Sequence, residues 1–535
     1  MLNRRPVTKL GESTAMVQEA HHDFYTFDEI LTFWAGERPD MPAFEQEGRV
    51  TTYAEADDLT KRLVTLFRER GVGKGDRIAW LGKNADMYFL LYLAAARVGA
   101  VMVPIGWRLA APEIAYILKD TEAKLLFAGA EFVETASKVA GDVPGKPQVI
   151  EAEAARREAA ALPPATYEAP GADEPVLQLY TSGTTGNPKG AVLSNRNLLG
   201  LRNPGNEAGL EWNFYEEGDC MLIAMPCAHI GGTGLMNIAI ANGVRSLVQA
   251  EFTPVGVLEA IENGATHMFI VPAALQMVVQ HPRAAETDFS NLRYLMYGAA
   301  PMPLELLKEA VRTMPGTKFL QAYGMTETAG TISILPPEDH SLEGNQRMRS
   351  AGKAVPGVAI EVRGPDNAEL PRGEIGEVCI KSPSNTAGYW KLPEATDKTI
   401  DADGWLHTGD AGVMDEDGYV YIQDRIKDMI ISGGENVYPA EVENAIFGHP
   451  AIAEVAVIGV PSEKWGEEVK ACVVPKPGCE IEEGEVIAYA RERIAAFKAP
   501  KSVDVIPEMP RNPSGKILRR QLRTPYWEGQ ERQVS

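Results

Sequence analysis

The chain has 535 residues, of which 45% are hydrophobic and 24% charged, and its 74 acidic against 52 basic side chains leave a net charge of −22. That length exceeds what one core supports and predicts several domains of ordinary globular composition. The acidic balance argues against nucleic acid or an anionic membrane surface as partner, and any nucleotide must be held by local cations and backbone dipoles against the overall field.

Cys220, Cys227, Cys379, Cys472 and Cys479 are odd in number, widely scattered and without Cys-x-x-Cys spacing, which suits a reducing compartment. Residues 1–23 lack the apolar core of a signal peptide, so a cytoplasmic location is the expectation. In chain order, Thr52-x-x-Glu55 is a capping box. Leu59, Leu63, Leu66 and Phe67 follow on one helical face, and Gly71 closes the helix. A strand at 77–81, a helix to about Arg97 and a strand at 101–103 make a β-α-β pattern, hence a parallel sheet. The apolar stretch from Tyr88 to Ile105 is interrupted by Arg97, Gly99 and Pro104, and reads as a buried helix and strand rather than a membrane span. Residues 151–170, rich in Ala, Glu, Arg and Pro, read as an exposed connector to a strand at 176–180. Residues 220–330 alternate strands and helices. From about 350 to 424 short β runs dominate, with a hairpin turn at Asp417-Gly418. Beyond, a helix at 440–447, strands at 455–460 and 469–474 and a helix at 485–497 form a small α/β unit.

Five segments carry chemistry. The first is Tyr180-Thr181-Ser182-Gly183-Thr184-Thr185-Gly186-Asn187-Pro188-Lys189-Gly190. Its glycines free backbone N–H groups that, with the Ser182, Thr184 and Thr185 hydroxyls, form a nest for phosphate oxygens, and Lys189 adds a mobile positive charge. It lacks the residue order of a Walker A loop. The second, Gln321-Ala322-Tyr323-Gly324-Met325-Thr326-Glu327, places a carboxylate suited to Mg²⁺ after an aromatic-glycine turn. The third, Gly404-Trp405-Leu406-His407-Thr408-Gly409-Asp410, ends in an aspartate able to accept from both ribose hydroxyls. The fourth runs from Tyr421 to Asp428 and on to Ser432-Gly433-Gly434-Glu435-Asn436; the fifth is Pro510-Arg511-Asn512-Pro513-Ser514-Gly515-Lys516. Taken singly, these are common turns and loops. In this order, from about Thr52 to Lys516, they resemble the adenylate-forming enzymes: acyl-CoA synthetases, firefly luciferase-type enzymes and peptide-synthetase adenylation domains.

The resemblance implies an α/β fold. Residues 1–426 would form a large domain of α/β sheet subdomains plus a β-rich subdomain, and residues 427–535 a small mobile α+β domain hinged at about 427. It assigns Thr181, Ser182, Gly183, Thr184, Thr185, Gly186 and Lys189 to the phosphates, Thr326 to the α-phosphate and Glu327 to Mg²⁺. Gly298, Ala299, Ala300 and Tyr323 go to the walls of the adenine and acyl pockets, Asp410 to the ribose and Arg425 to ribose or α-phosphate. Lys427 becomes the hinge, Gly433 and Gly434 the face that meets a pantetheine arm, and Lys516 the cation that neutralises charge during carboxylate attack. His229 falls near the acyl carboxylate, although Ala228 stands where relatives carry an aromatic. The implied activity is ATP- and Mg²⁺-dependent acid–CoA ligation through acyl-AMP, with CoA as a substrate. Small residues at Gly231, Gly232, Gly234, Ala322 and Gly324 read as room for a medium- or long-chain fatty acid. Aryl-propenoic acids, and adenylation that loads a carrier protein, are the alternatives. A homodimer is compatible with the sequence.

Overall fold

A computed structural model describes residues 23–181, 187–511 and 516–528. Two large sheets dominate. Across the first, the strands run Gly388–Tyr389, Lys189–Ser194, Pro175–Thr181, Val101–Ile105, Arg77–Leu81, Leu125–Ala128 and Gln148–Glu151. From Pro175–Thr181 to the far edge all pairings are parallel, as the β-α-β pattern requires. The second sheet has nine strands, including Cys220–Ile223, His267–Ile270, Tyr294–Gly298 and Lys318–Met325 at its parallel centre. One core joins both sheets through the helix Asp86–Val98, whose side chains are buried on every side from Asp86 to Arg97. No described helix is long and apolar enough to cross a membrane.

Local signals hold at the expected places. Thr52 caps the helix Tyr53–Glu69 reciprocally with Glu55, and Gly71 follows with φ +73°. Arg97, which interrupts the apolar run, is 1% exposed and paired: it lies 3.0 Å from Asp28 and 2.6 Å from Asp57 and donates to Thr60 at 2.8 Å. It thereby ties three helices together.

A third sheet is antiparallel, Ala359–Arg363, Gly376–Lys381, Leu406–Met414 and Val420–Arg425, the last two joined through the Asp417-Gly418 turn. The fourth contains Ile452–Ser462 and Gly466–Pro475 as a long hairpin, with Ile430–Ser432, Glu435–Val437 and Ser502–Val505 beside it, covered by Pro439–Phe447 and Glu483–Arg491. Two segments differ from expectation. Residues 152–160 are a helix, not open connector, because Ala152, Ala155 and Ala159 form a buried stripe. The last predicted helix stops at Arg491 rather than 497.

Truncation of Arg97 removes the buried cation that Asp28 and Asp57 share, leaving Asp28 with the Tyr167 hydroxyl and Asp57 with Lys61. Arg97→Ala is expected to cost about 3–5 kcal/mol, read as a lowered midpoint in urea unfolding.

Candidate active site

The phosphate-type loop joins Pro175–Thr181 to Lys189–Ser194, which pair antiparallel with Thr181 opposite Lys189. A strand, not a helix, therefore follows it. Ser182, Gly183, Thr184, Thr185 and Gly186 lie outside the described residues. Its two flanks face a carboxylate from the second sheet. Glu327, 5% exposed, accepts from Thr181 Oγ1 at 3.3 Å and from the Tyr389 hydroxyl at 2.8 Å. Its carbonyl accepts from Thr386 N at 2.7 Å. Lys189 Nζ lies 4.9 Å from the centre of the Tyr389 ring. Thr326 is half-buried in the same turn, Thr326–Thr328. The donors around this position are a carboxylate and hydroxyls, the hard oxygen chemistry that Mg²⁺ takes.

A second cluster forms where the third sheet meets the second. Asp410 accepts from the Tyr323 hydroxyl at 2.6 Å and pairs with Arg425 Nε at 2.8 Å. Arg425 also donates to Thr408 O at 2.8 Å, and Asp410 N to Thr408 Oγ1 at 3.0 Å. Behind them Glu377 accepts from Gly409 N at 2.8 Å and holds His407 Nδ1 at 2.9 Å, with Cys379 Sγ 3.5 Å from the same nitrogen. Asp410 is thus fixed from both sides. Burial works against the Arg425 charge, but Asp410, Tyr323 and Glu327 more than offset it, so its pKa is raised. Burial, then Asp410, pushes the Tyr323 phenol well up.

Lys516 reaches this cluster from the C-terminal segment. Enclosure in the cleft lowers its pKa, Arg425 and Lys427 add to that, and Asp410 and Glu327 oppose it. The residue as a whole is exposed. Its charge is felt by His229, whose imidazole is lowered to about 4 by burial first and Lys516 second. His229 caps the helix Ile230–Ala241, and its Nε2 has no hydrogen-bond partner among the described residues. Lys427 is half-buried in the turn Ile426–Asp428, its pKa lowered by burial. Gly433 and Gly434 form the exposed turn between Ile430–Ser432 and Glu435–Val437, with φ +64° and +86°.

Gly298 pairs with Ala322 across the parallel strands. A Cβ on Gly298 would lie 2.0 Å from Ala322 O, so only glycine fits. Ala299 follows in the left-handed region at φ +66°, exposed, and Ala300 is half-buried. Of the glycines read as open space, Gly234 meets only the Ile230 side chain, at an ordinary 3.6 Å, but Gly231, Gly232 and Gly324 prove to be close-packed. A Cβ on Gly231 would meet the Phe269 ring at 2.8 Å, on Gly232 the Pro226 carbonyl at 2.4 Å, and on Gly324 the Gly330 carbonyl at 1.8 Å. The cavity beside His229, bordered by Asn84, Trp107, Arg108 and Ala228, encloses about 10 Å³, one water's worth. These glycines let backbones approach; they do not measure the acyl chain. Sequence reasoning also missed Tyr389 and Thr386, which sit in an unremarkable stretch and reach Glu327 only through the edge strand Gly388–Tyr389.

The family pattern of AMP-binding enzymes matches residues 31–390, and that of the AMP-binding enzyme C-terminal domain matches residues 441–516. The chain belongs to the AMP-binding, adenylate-forming enzymes. It is 40% identical to the fatty acid–[acyl-carrier-protein] ligase ScoC of Streptomyces coeruleorubidus over 96% of this chain and 99% of that one. It is 39% identical to a feruloyl-CoA synthase of an Amycolatopsis species, covering 91% and 96%. Among solved structures it resembles the o-succinylbenzoate CoA synthetase MenE of Bacillus subtilis in complex with the acyl-adenylate intermediate OSB-AMP. That match has TM-score 0.83, 32% identity and coverage of 92% and 97%. As an AMP-binding enzyme of this kind, the chain is an acid–thiol ligase that uses ATP, and its α/β architecture is that of the family.

Because burial and Lys516 both disfavour the imidazolium, His229 stays neutral throughout the physiological range. The unfolded chain takes up this proton first, so the stability tied to it is lost as pH falls from about 6.5 toward 4. An NMR titration, assigned with His229→Gln, is expected to show a flat His229 signal from pH 5.5 to 8; an inflection near 6.5 would contradict the burial argument.

Proposed function

We propose that this AMP-binding enzyme converts a medium- or long-chain fatty acid to its acyl-CoA in two steps at one site. A carboxylate oxygen attacks the α-phosphorus of ATP, the bond to the bridging oxygen breaks, and pyrophosphate leaves. The thiol sulfur of CoA then attacks the acyl carbonyl, loses its proton, and AMP departs as the C–O bond breaks. The observation that carries the reading is the Tyr323–Asp410–Arg425 cluster, with Lys516 in electrostatic range of it and of Glu327 and His229. A cation in range of both the carboxylates and the histidine suits the neutralisation of charge that builds on the α-phosphate, worth roughly 10²–10³-fold in rate for a single donor.

In this reading Asp410, held by Tyr323 and Arg425, receives the ribose. Thr181, Thr326 and Lys189, with residues 182–186, hold the phosphates. Gly298, Ala299 and Ala300 wall the adenine and acyl groups. Glu327 would hold Mg²⁺, which supplies charge neutralisation at the phosphates. Neutral His229, with its free Nε2 edge, orients the acid without competing for its proton. Residues 427–535 form the mobile domain, turning at Lys427. Gly433 and Gly434 lie on an exposed turn, in keeping with a face that meets the pantetheine arm only after that turn. The fatty-acid preference is supported by the relative named for fatty acids. The feruloyl-CoA synthase supports aryl-propenoic acids as the second reading, and the carrier-protein ligase supports a pantetheinyl carrier as alternative thiol.

AMP and thioester formation with CoA, across acetate, octanoate, palmitate, coumarate and ferulate, tests the acid. The highest kcat/KM is expected on octanoate or palmitate; turnover confined to aryl acids would replace the substrate and keep the mechanism. Lys516→Ala is expected to lower adenylate formation at least 100-fold while thioester formation from prepared acyl-AMP stays within a few-fold. Equal loss in both steps would remove the role given to Lys516.

A further inference from the structure

Lys516 is carried by a short segment anchored on both sides. Arg511 and Ile517 form a bridging pair, Leu518 N donates to Pro510 O at 2.8 Å, and Arg511 pairs with Glu454. Three residues beyond Lys516, Arg519 opens the helix Arg519–Arg523. Its guanidinium grips Glu443 with Nη2 at 2.9 and 2.8 Å from the two oxygens and Nε at 3.2 Å. Glu443 Oε1 also accepts from Val457 N at 2.8 Å. All of these contacts lie within the C-terminal unit and travel with it.

One carboxylate crosses the linker. Asp424, on the strand Val420–Arg425 of the preceding sheet and three residues before Lys427, has a side chain only 5% exposed. Its Oδ1 lies 3.7 Å from Arg519 Nη1 and accepts from Arg425 N at 2.7 Å. Its Oδ2 accepts from Ala440 N at 2.9 Å, in the first turn of Pro439–Phe447. The helix N-terminus and Arg519 both favour the anion. Neither contact can survive a rotation about residues 425–428, whereas Arg519–Glu443 can.

We propose that Asp424, through Arg519 and Glu443, is the positioning residue that clasps Lys516 into the adenylate-forming arrangement and releases it for the thioester step. The proposal rests on the role given to Lys516 above. The clasp can open because burial of the carboxylate opposes what Arg519 and the Ala440 amide supply. Burying the carboxylate is costly enough to hold its carboxyl up to about 6 despite Arg519. On opening, water solvates Asp424 and the Ala440 amide while Arg519 keeps Glu443. A buried pair of this kind contributes little net stability yet specifies one arrangement strongly.

The test uses the full chain and the best acid of the panel. Asp424→Asn keeps shape and removes the charge. Adenylate formation, followed by ATP–pyrophosphate exchange, is expected to fall about tenfold, with thioester formation from prepared acyl-AMP within twofold of wild type. Proteolytic cutting in 425–428 is expected to quicken. Arg519→Lys, which keeps the charge but loses the two-pronged grip, is expected to fall between wild type and Arg519→Ala. Should Asp424→Asn unfold, Asp424→Glu, which keeps the charge but displaces it by one methylene from Arg519 and Ala440 N, provides the comparison, with the same selective loss of adenylate formation expected. Equal loss in both steps, or unchanged adenylate formation in a folded variant, overturns the clasp. If Lys516→Ala itself spares adenylate formation, the reading beneath the clasp fails; if Lys516→Ala behaves as expected and Asp424→Asn does not, the clasp alone fails.

Discussion

A strongly acidic chain that handles a polyanion depends on keeping a few cations in place without neutralising them. The cleft does this with carboxylates that are themselves committed elsewhere. Asp410 holds Arg425 at 2.8 Å but is held in turn by Tyr323. Glu327 faces the cleft but is tethered by Tyr389 and Thr181. The result is a field set by fixed geometry, which under the proposed function would meet the charge developing on a phosphate with partners already oriented.

This arrangement draws on three sheets, and its assembly is long-range. Thr181 and Glu327 are 146 positions apart, and Tyr323 and Asp410 are 87 apart. Local chemistry therefore announced the pieces but not their partners. The capping box at Thr52, the strand at 77–81, the buried helix after it and the Asp417-Gly418 hairpin follow from spacing and turn chemistry, and they stand where periodicity puts them. Tyr389 and Asp424 could not be found that way. Each sits in an ordinary stretch and acquires a role only through tertiary contact with Glu327 or Arg519.

Two misreadings have the same physical root. An alanine-rich stretch with charges and prolines looks like connector until its alanines meet another helix, as Ala152, Ala155 and Ala159 do. Glycines near an expected pocket look like vacancy, yet what a glycine lacks can be filled by a neighbour's backbone. Composition reports what a residue leaves out; only packing reports what takes its place.

The close approach of Gly231 to Phe269 makes the wall of this region adjustable from one side only. A glycine is already the smallest residue, so at Gly231 and Gly232 the helix side has nothing left to give, and a carbon added there must displace an aromatic ring or a carbonyl. Reshaping this region would thus begin on the strand His267–Ile270, by trimming Phe269. The helix face opposite it is a fixed reference surface rather than a dial.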